Sequence, residues 1–222
     1  MEFVRTPHTA YKLNTTNTLG GIIALIVHLA GAIGILFFKK DWFLGLTPLN
    51  LILVFILLIG TTPSRNRRFY LFVVSAILLG FVTEMIGVNT GLLFGSYRYG
   101  EILGKKIFGV PILISFNWFM IVYASGICVA KYLKSSNIFI NVICGGLLAT
   151  FFDWIMEPAA IKLGFWQWEN NTIPLFNYIT WFGISSLLLI FFNKNKFSYH
   201  PFALYLLIIQ AAFFLVLRGW IS

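Results

Sequence analysis

The chain has 222 residues, of which 59% are hydrophobic and 10% charged, with a mean hydropathy of +0.87 and a formal net charge of +9. This excludes a soluble globular domain, because too few polar residues remain to cover a water-facing surface. The basic residues lie in short loops beside apolar runs, where they read as headgroup contacts and topology signals, so no nucleic-acid partner is expected.

The first residues, "MEFVRTPHTAYKLNTTNT", are polar, and the apolar run behind them is too long for a cleaved signal segment, so none is expected. Seven apolar stretches of roughly 18 or more residues follow, at about 19–38, 43–60, 69–88, 111–132, 138–157, 175–192 and 201–218. Each can cross a hydrocarbon core of ~30 Å. The pattern predicts an all-α polytopic membrane protein, a single bundle of about seven transmembrane helices forming one domain over residues 1–222. His28 in the first span reads as a packed polar residue, and Trp42, Tyr123 and Trp220 as interfacial belt residues. Cys128 and Cys144 fall inside spans, so no structural disulfide is expected. Lysines and arginines favour the side holding the N-terminus by nine to seven, including Arg5 and Lys12, and so place it in the cytoplasm. The chain is therefore expected to be a multi-pass protein of a bacterial or archaeal cell membrane, in contact with membrane lipids.

Three of the seven acidic residues, Glu84, Asp153 and Glu157, fall inside spans. A carboxylate at mid-membrane costs about 2.5–3.5 kcal/mol even on the mildest scale, and such residues usually mark a function. Alternation of the spans puts the ends of the third and fifth on one side of the bilayer. Asp153 and Glu157, spaced i, i+4, share a helix face just before an expected break at Pro158. All three carboxylates are therefore expected to meet near one membrane surface. Duller readings also exist: Glu84 could pair with Arg98, and Glu157 could be partly solvated at its helix end.

An internal helix-loop-helix repeat supports the convergence. Gly95, Tyr97 and Tyr99 follow Glu84 at offsets of 11, 13 and 15, and Gly164, Trp166 and Trp168 follow Asp153 at the same offsets. Each unit then enters its next span through "VPILISFNWF" or "IPLFNYITWF", which pairs Asn117-Trp118 with Asn177-Tyr178. On that reading Asp153 is the counterpart of Glu84, and Asn117 and Asn177 are symmetry mates.

Other chemistries lack their residues. No P-loop and no strand-borne G-x-G-x-x-G is present. His8, His28 and His200 are isolated, which removes histidine-rich di-iron sites and Cys/His zinc sites, so no metal is expected. The seventh span has no lysine for a retinal Schiff base. What remains is acid-base chemistry on a lipid-soluble substrate, or, alternatively, a transporter or proton-conducting protein using the same carboxylates.

Two stretches, "TEMIGVNTGLLFGSYRYG" (83–100) and "DWIMEPAAIKLGFWQWEN" (153–170), resemble the signature regions of the carotenoid biosynthesis proteins that include the carotenoid 1,2-hydratases. The resemblance implies a multispanning hydro-lyase that adds water to the terminal carbon 1–carbon 2 double bond of an acyclic, lycopene-like end group, with no cofactor. An isolated alkene must be protonated by a positioned acid, the resulting tertiary cation needs electron-rich faces beside it, and a second carboxylate must deprotonate the water. Asp153 is the expected proton donor, with Glu84 and Glu157 as base and partner. Phe94, Tyr97, Tyr99, Trp166 and Trp168 are expected to line the substrate site, and Asn117 and Asn177 to hold the water or the new hydroxyl. Gly87, Gly91 and Gly95 are expected to let helix and loop approach closely. Association with other carotenoid enzymes is left open.

Overall fold

A computed structural model describes residues 15–220; the polar N-terminal residues carrying Glu2, Arg5, His8 and Lys12 lie outside the described residues. The described chain forms α1 (Thr15–Phe37), α2 (Lys40–Gly45), α3 (Thr47–Thr61), α4 (Arg67–Thr90), α5 (Ile112–Tyr132), α6 (Ile138–Lys162), α7 (Leu175–Asn195) and α8 (Pro201–Trp220). Six of these, all but α2 and α3, are long and apolar enough to cross a membrane. The protein is thus an all-α, multi-pass membrane protein.

The second expected span, 43–60, departs from a single crossing helix. It is built as α2 followed by the 15-residue α3, with Leu46 between them. Pro48 in the first turn of α3 explains the restart, since a ring without N–H is tolerated there and not in mid-helix. The α2–α3 segment still returns to the starting side, because Asn17 Nδ2 near the start of α1 donates to the Thr61 carbonyl at 3.5 Å. The expected break at Pro158 does not occur either. α6 runs through it to Lys162, with Glu157 and Ala159 both inside the helix. Only the Pro158 amide is missing from the ladder, a loss that a helix flanked by neighbours tolerates.

α5 is the axis of the bundle. Residues 117–127 are buried on every face, and the helix packs against α3, α4, α6, α7 and α8. A helix apolar all round belongs in such a position. The outer helices instead expose apolar stripes, such as Leu25, Leu29 and Ile33 on α1, to the surroundings. Trp42 and Trp220 are exposed as belt residues should be, but Tyr123 is core, packed edge-on to Phe69 and stacked on Phe119. His28 is packed as expected, its Nδ1 hydrogen-bonded at 2.7 Å to the Ala24 carbonyl. Both cysteines are free.

The long loops after α4 and α6 are joined by a two-stranded antiparallel ribbon. β1 (Tyr97–Tyr99) pairs with β4 (Trp166–Trp168) in the register Tyr97–Trp168, Arg98–Gln167, Tyr99–Trp166. A second small ribbon, β2 (Lys106–Ile107) with β3 (Val110–Pro111), leads into α5, and a single 3-10 turn, η1 (Glu169–Asn171), follows β4. Gly91 ends α4 at φ 70°, a left-handed conformation that only glycine adopts without strain, and so turns the chain back toward the ribbon.

At the opposite end of the bundle His200, in the link between α7 and α8, is fully buried. Thr61 gives its one hydroxyl proton to the Leu57 carbonyl, so at 2.9 Å it accepts from His200 Nε2–H. Burial holds the His200 pKa down at about 4. Because the folded value lies below the unfolded one, the stability this neutral histidine confers is present above about pH 6.5 and is lost as the pH falls toward 4. The expected outcome is a thermal unfolding midpoint in detergent that falls from pH 7 to pH 4. His200→Gln should flatten that slope by on the order of 3 kcal/mol at the acid end.

Candidate active site

The β1–β4 ribbon decides which side chains reach the interior. In a strand alternate residues face opposite ways. Tyr97, Tyr99, Trp166 and Trp168 therefore point into the bundle, while Arg98 and Gln167 face outward and bond to each other at 2.9 Å. Arg98 is thus not a partner of Glu84.

Beneath the ribbon, Glu84, Asp153 and Glu157 are 4%, 1% and 2% exposed, so all three are buried. Their partners are neutral donors throughout. Glu84 Oε2 accepts from the Tyr97 hydroxyl and, at 2.7 Å, from the Tyr99 hydroxyl, and its Oε1 accepts from Trp118 Nε1 at 2.8 Å. Glu157 Oε2 accepts from Trp166 Nε1 at 2.9 Å and Trp168 Nε1 at 3.0 Å. Asn177 Nδ2 bridges the other pair, donating to Asp153 Oδ2 at 2.7 Å and Glu157 Oε1 at 3.4 Å. Burial first, and the Glu84 carboxylate second, hold the Tyr97 and Tyr99 phenols well above their usual pKa, so both remain donors.

The three acids, with Tyr97, Tyr99, Trp166, Trp168 and Asn177 from among their donors and with Phe94, Ile114, Met156 and Trp181, line one chamber with about 20 Å³ of free space, room for one water molecule. Gly87 permits the tight packing of this wall: a Cβ there would meet Phe94 at 2.5 Å and the Tyr97 hydroxyl at 3.1 Å. On the aqueous side a polar hollow of about 400 Å³, lined by Arg98, Gln167, Glu169 and Asn170 among others, shares Tyr97 and Trp168 with the chamber. At 1.5 Å of rise per residue, the three carboxylates lie roughly 8–14 Å from the nearby ends of their helices, within one half of the span.

Of the residues anticipated at the site, Glu84, Phe94, Tyr97, Tyr99, Asp153, Glu157, Trp166, Trp168 and Asn177 all line the chamber. Asn117 does not. It lines a neighbouring cavity with His28, Asn50 and Gln210. The residue after it, about 100° further round α5, is the one that meets Glu84. Trp118 also stacks on Trp181, with centroids 3.8 Å apart and planes 7° from parallel. Sequence reasoning passed over this tryptophan pair, although its signal is visible. Aligned by Pro111 and Pro174 without a gap, the two entry segments superpose Trp118 on Trp181 and Asn117 on Thr180, so the asparagines were never mates. The acid correspondence also changes. Glu84 is bonded by the two tyrosines of its own loop and Glu157 by the two tryptophans of its own loop, so in its bonding Glu157 corresponds to Glu84, although Asp153 stands at the matching offset.

Fold and site together define a multi-pass membrane protein with a cluster of buried carboxyl groups walled by aromatic rings in one half of the bilayer. The family model described as "Carotenoid biosynthesis protein" matches residues 45–221, and the chain belongs to that family. It is 29% identical over 143 residues to the bisanhydrobacterioruberin hydratase of Haloarcula japonica, a match covering 62% of this chain and 49% of the relative. The chain thus spans about half the length of that curated relative. No solved structure matches it.

Trp118→Phe removes one of three donors from a buried carboxylate while keeping most of the stacked ring. It should lower stability by about 1–3 kcal/mol, read as a thermal midpoint in detergent. Trp42→Phe, at a site 61% exposed, should leave the midpoint nearly unchanged.

Proposed function

We propose that the protein is a hydratase of carotenoid biosynthesis, adding water across the terminal carbon 1–carbon 2 double bond of an acyclic carotenoid end group. The observation that carries this reading is the meeting of three buried carboxyl groups, supplied only with neutral donors, inside one ring-walled chamber. The similarity to a protein named bisanhydrobacterioruberin hydratase supports the same reaction class.

Donors directed at a carboxylate favour its ionised form. Glu84 and Glu157 each accept three hydrogen bonds, and Asp153 accepts one. Asp153 is therefore the group suited to carry the proton, and Glu84 and Glu157 the groups suited to carry charge. The Asp153 proton passes to carbon 2, and the alkene's π electrons form the new C–H bond. Carbon 1 is left as a tertiary cation. The rings of Trp166, Trp168 and Trp181, which line the chamber, can stabilise such a cation by up to ~2 kcal/mol each in a desolvated site, and the Glu84 carboxylate adds to this. Water then attacks carbon 1, and its surplus proton goes to Glu157. Asn177, which donates through Nδ2 to both acids, holds them side by side, and the proton returns from Glu157 to Asp153 between the two carboxyl groups, with water as carrier. Water can come from the polar hollow across Tyr97 and Trp168. No atom or electron is left over.

A proton conduit built on the same acids has less support. Among the described residues, the half of each span remote from the chamber carries no acidic side chain that could continue a relay.

Expression in cells that accumulate lycopene should yield pigment heavier by one water, read by mass spectrometry of the extract. Unaltered pigment beside well-inserted protein would defeat the hydratase reading. Asp153→Asn keeps shape and insertion and should lower product formation at least about a hundredfold.

A further inference from the structure

The acid chamber is too small for any carbon chain, so the way in matters. Two further voids lie in the same half of the bundle. One is a groove of about 310 Å³ between α1, α3 and α8, lined by Val27, Gly31, Ile35, Leu53 and Phe213 among others, and open at Leu49, which is 64% exposed. The other is a cavity of about 60 Å³ in the protein interior. Thr47, Asn50 and Phe213 line both the groove and this cavity. Ile114, Met156 and Trp166 line both the cavity and the acid chamber. The three voids therefore stand in a row from the outer surface to the carboxyl groups.

We propose that a long isoprenoid hydrocarbon chain lies in the α1–α3–α8 groove and passes its end through the middle cavity into the acid chamber, with Met156 as the side chain that swings aside to admit it. The reaction at the chain's end rests on the hydratase reading; its berth in the groove does not. The groove's lining is apolar over most of its area, as a hydrocarbon requires. It also leads inward to the acids, which would serve no purpose for a membrane acyl chain packed against the outside. Met156 is unbranched with three rotatable bonds, the side chain best able to change shape without a backbone shift. Ile114, its β-branched neighbour in the same wall, is stiff and keeps the frame.

The test is binding of lycopene to the purified chain in nanodiscs, read as circular dichroism induced in the visible polyene band. An achiral polyene dissolved in lipid gives no such signal. Wild type should give a saturable signal. Gly31→Phe, whose added Cβ would meet only Phe213 at 3.7 Å, fills the groove and should raise the apparent Kd at least about tenfold. Ala30→Phe, at the exposed rim, should do the same and carries the test if Gly31→Phe does not assemble. Leu29→Phe, which faces outward on the same helix and is 52% exposed, should change Kd by less than about twofold. Absence of any induced band in wild type, or a band indifferent to both groove substitutions, overturns the proposal; the second result would assign the groove to lipid. Asp153→Asn should keep the band while losing hydration. A band that responds to the groove variants while wild type forms no hydrated product would uphold the berth and reject the hydratase reading.

Discussion

The structure depends on how three carboxyl groups are kept inside an apolar bundle. Each would be costly there without donors. The protein instead surrounds them with indole N–H, phenol O–H and amide N–H groups, all neutral and all rigidly mounted. Lysine or arginine could have compensated the charge more strongly, but would have fixed every carboxyl as an anion. Neutral donors hold the groups in place and, on the proposed hydratase reading, leave a proton free to move among them.

That requirement explains the architecture around the site. Two helix ends must bring the acids to one depth, and two loops must return far enough to aim their rings at them. The β1–β4 ribbon does the second task, since its alternation sends four aromatic side chains inward and two polar ones outward. Its antiparallel register centres on the pair Arg98 with Gln167, and Trp118 stacks on Trp181, its mate in the proline alignment. Asn177 breaks the symmetry. Its counterpart by the proline alignment is Ile114, which lines the same chamber without a polar group. The site is therefore two-fold in outline and one-sided in its polar groups, as the proposed proton transfer requires.

The chamber stands between a polar hollow and an apolar groove. A reaction that joins water to a hydrocarbon needs both, each kept from the other until the acid has acted. Tyr97 and Trp168 divide chamber from hollow, and Met156 and Ile114 divide it from the passage to the groove. The aqueous boundary is made of large rings held by hydrogen bonds; the other includes a flexible thioether.

Composition and run length by themselves determined that the chain is a membrane bundle, because a hydrocarbon solvent imposes apolar helices of a fixed minimum length. The placement of Glu84, Asp153 and Glu157 within those helices likewise marked the acids, since charge in lipid stands out whatever the fold. Other features waited on the tertiary structure. Whether Asn117 or Trp118 faces the acids depends on the rotation of α5 about its axis, and a helix buried on every face carries no amphipathic stripe to reveal it. The matching of Glu157 with Glu84 depends on how far each loop reaches back, which packing sets and offsets in sequence do not. Pro158 similarly reads as a helix end until neighbouring helices hold its turn in place.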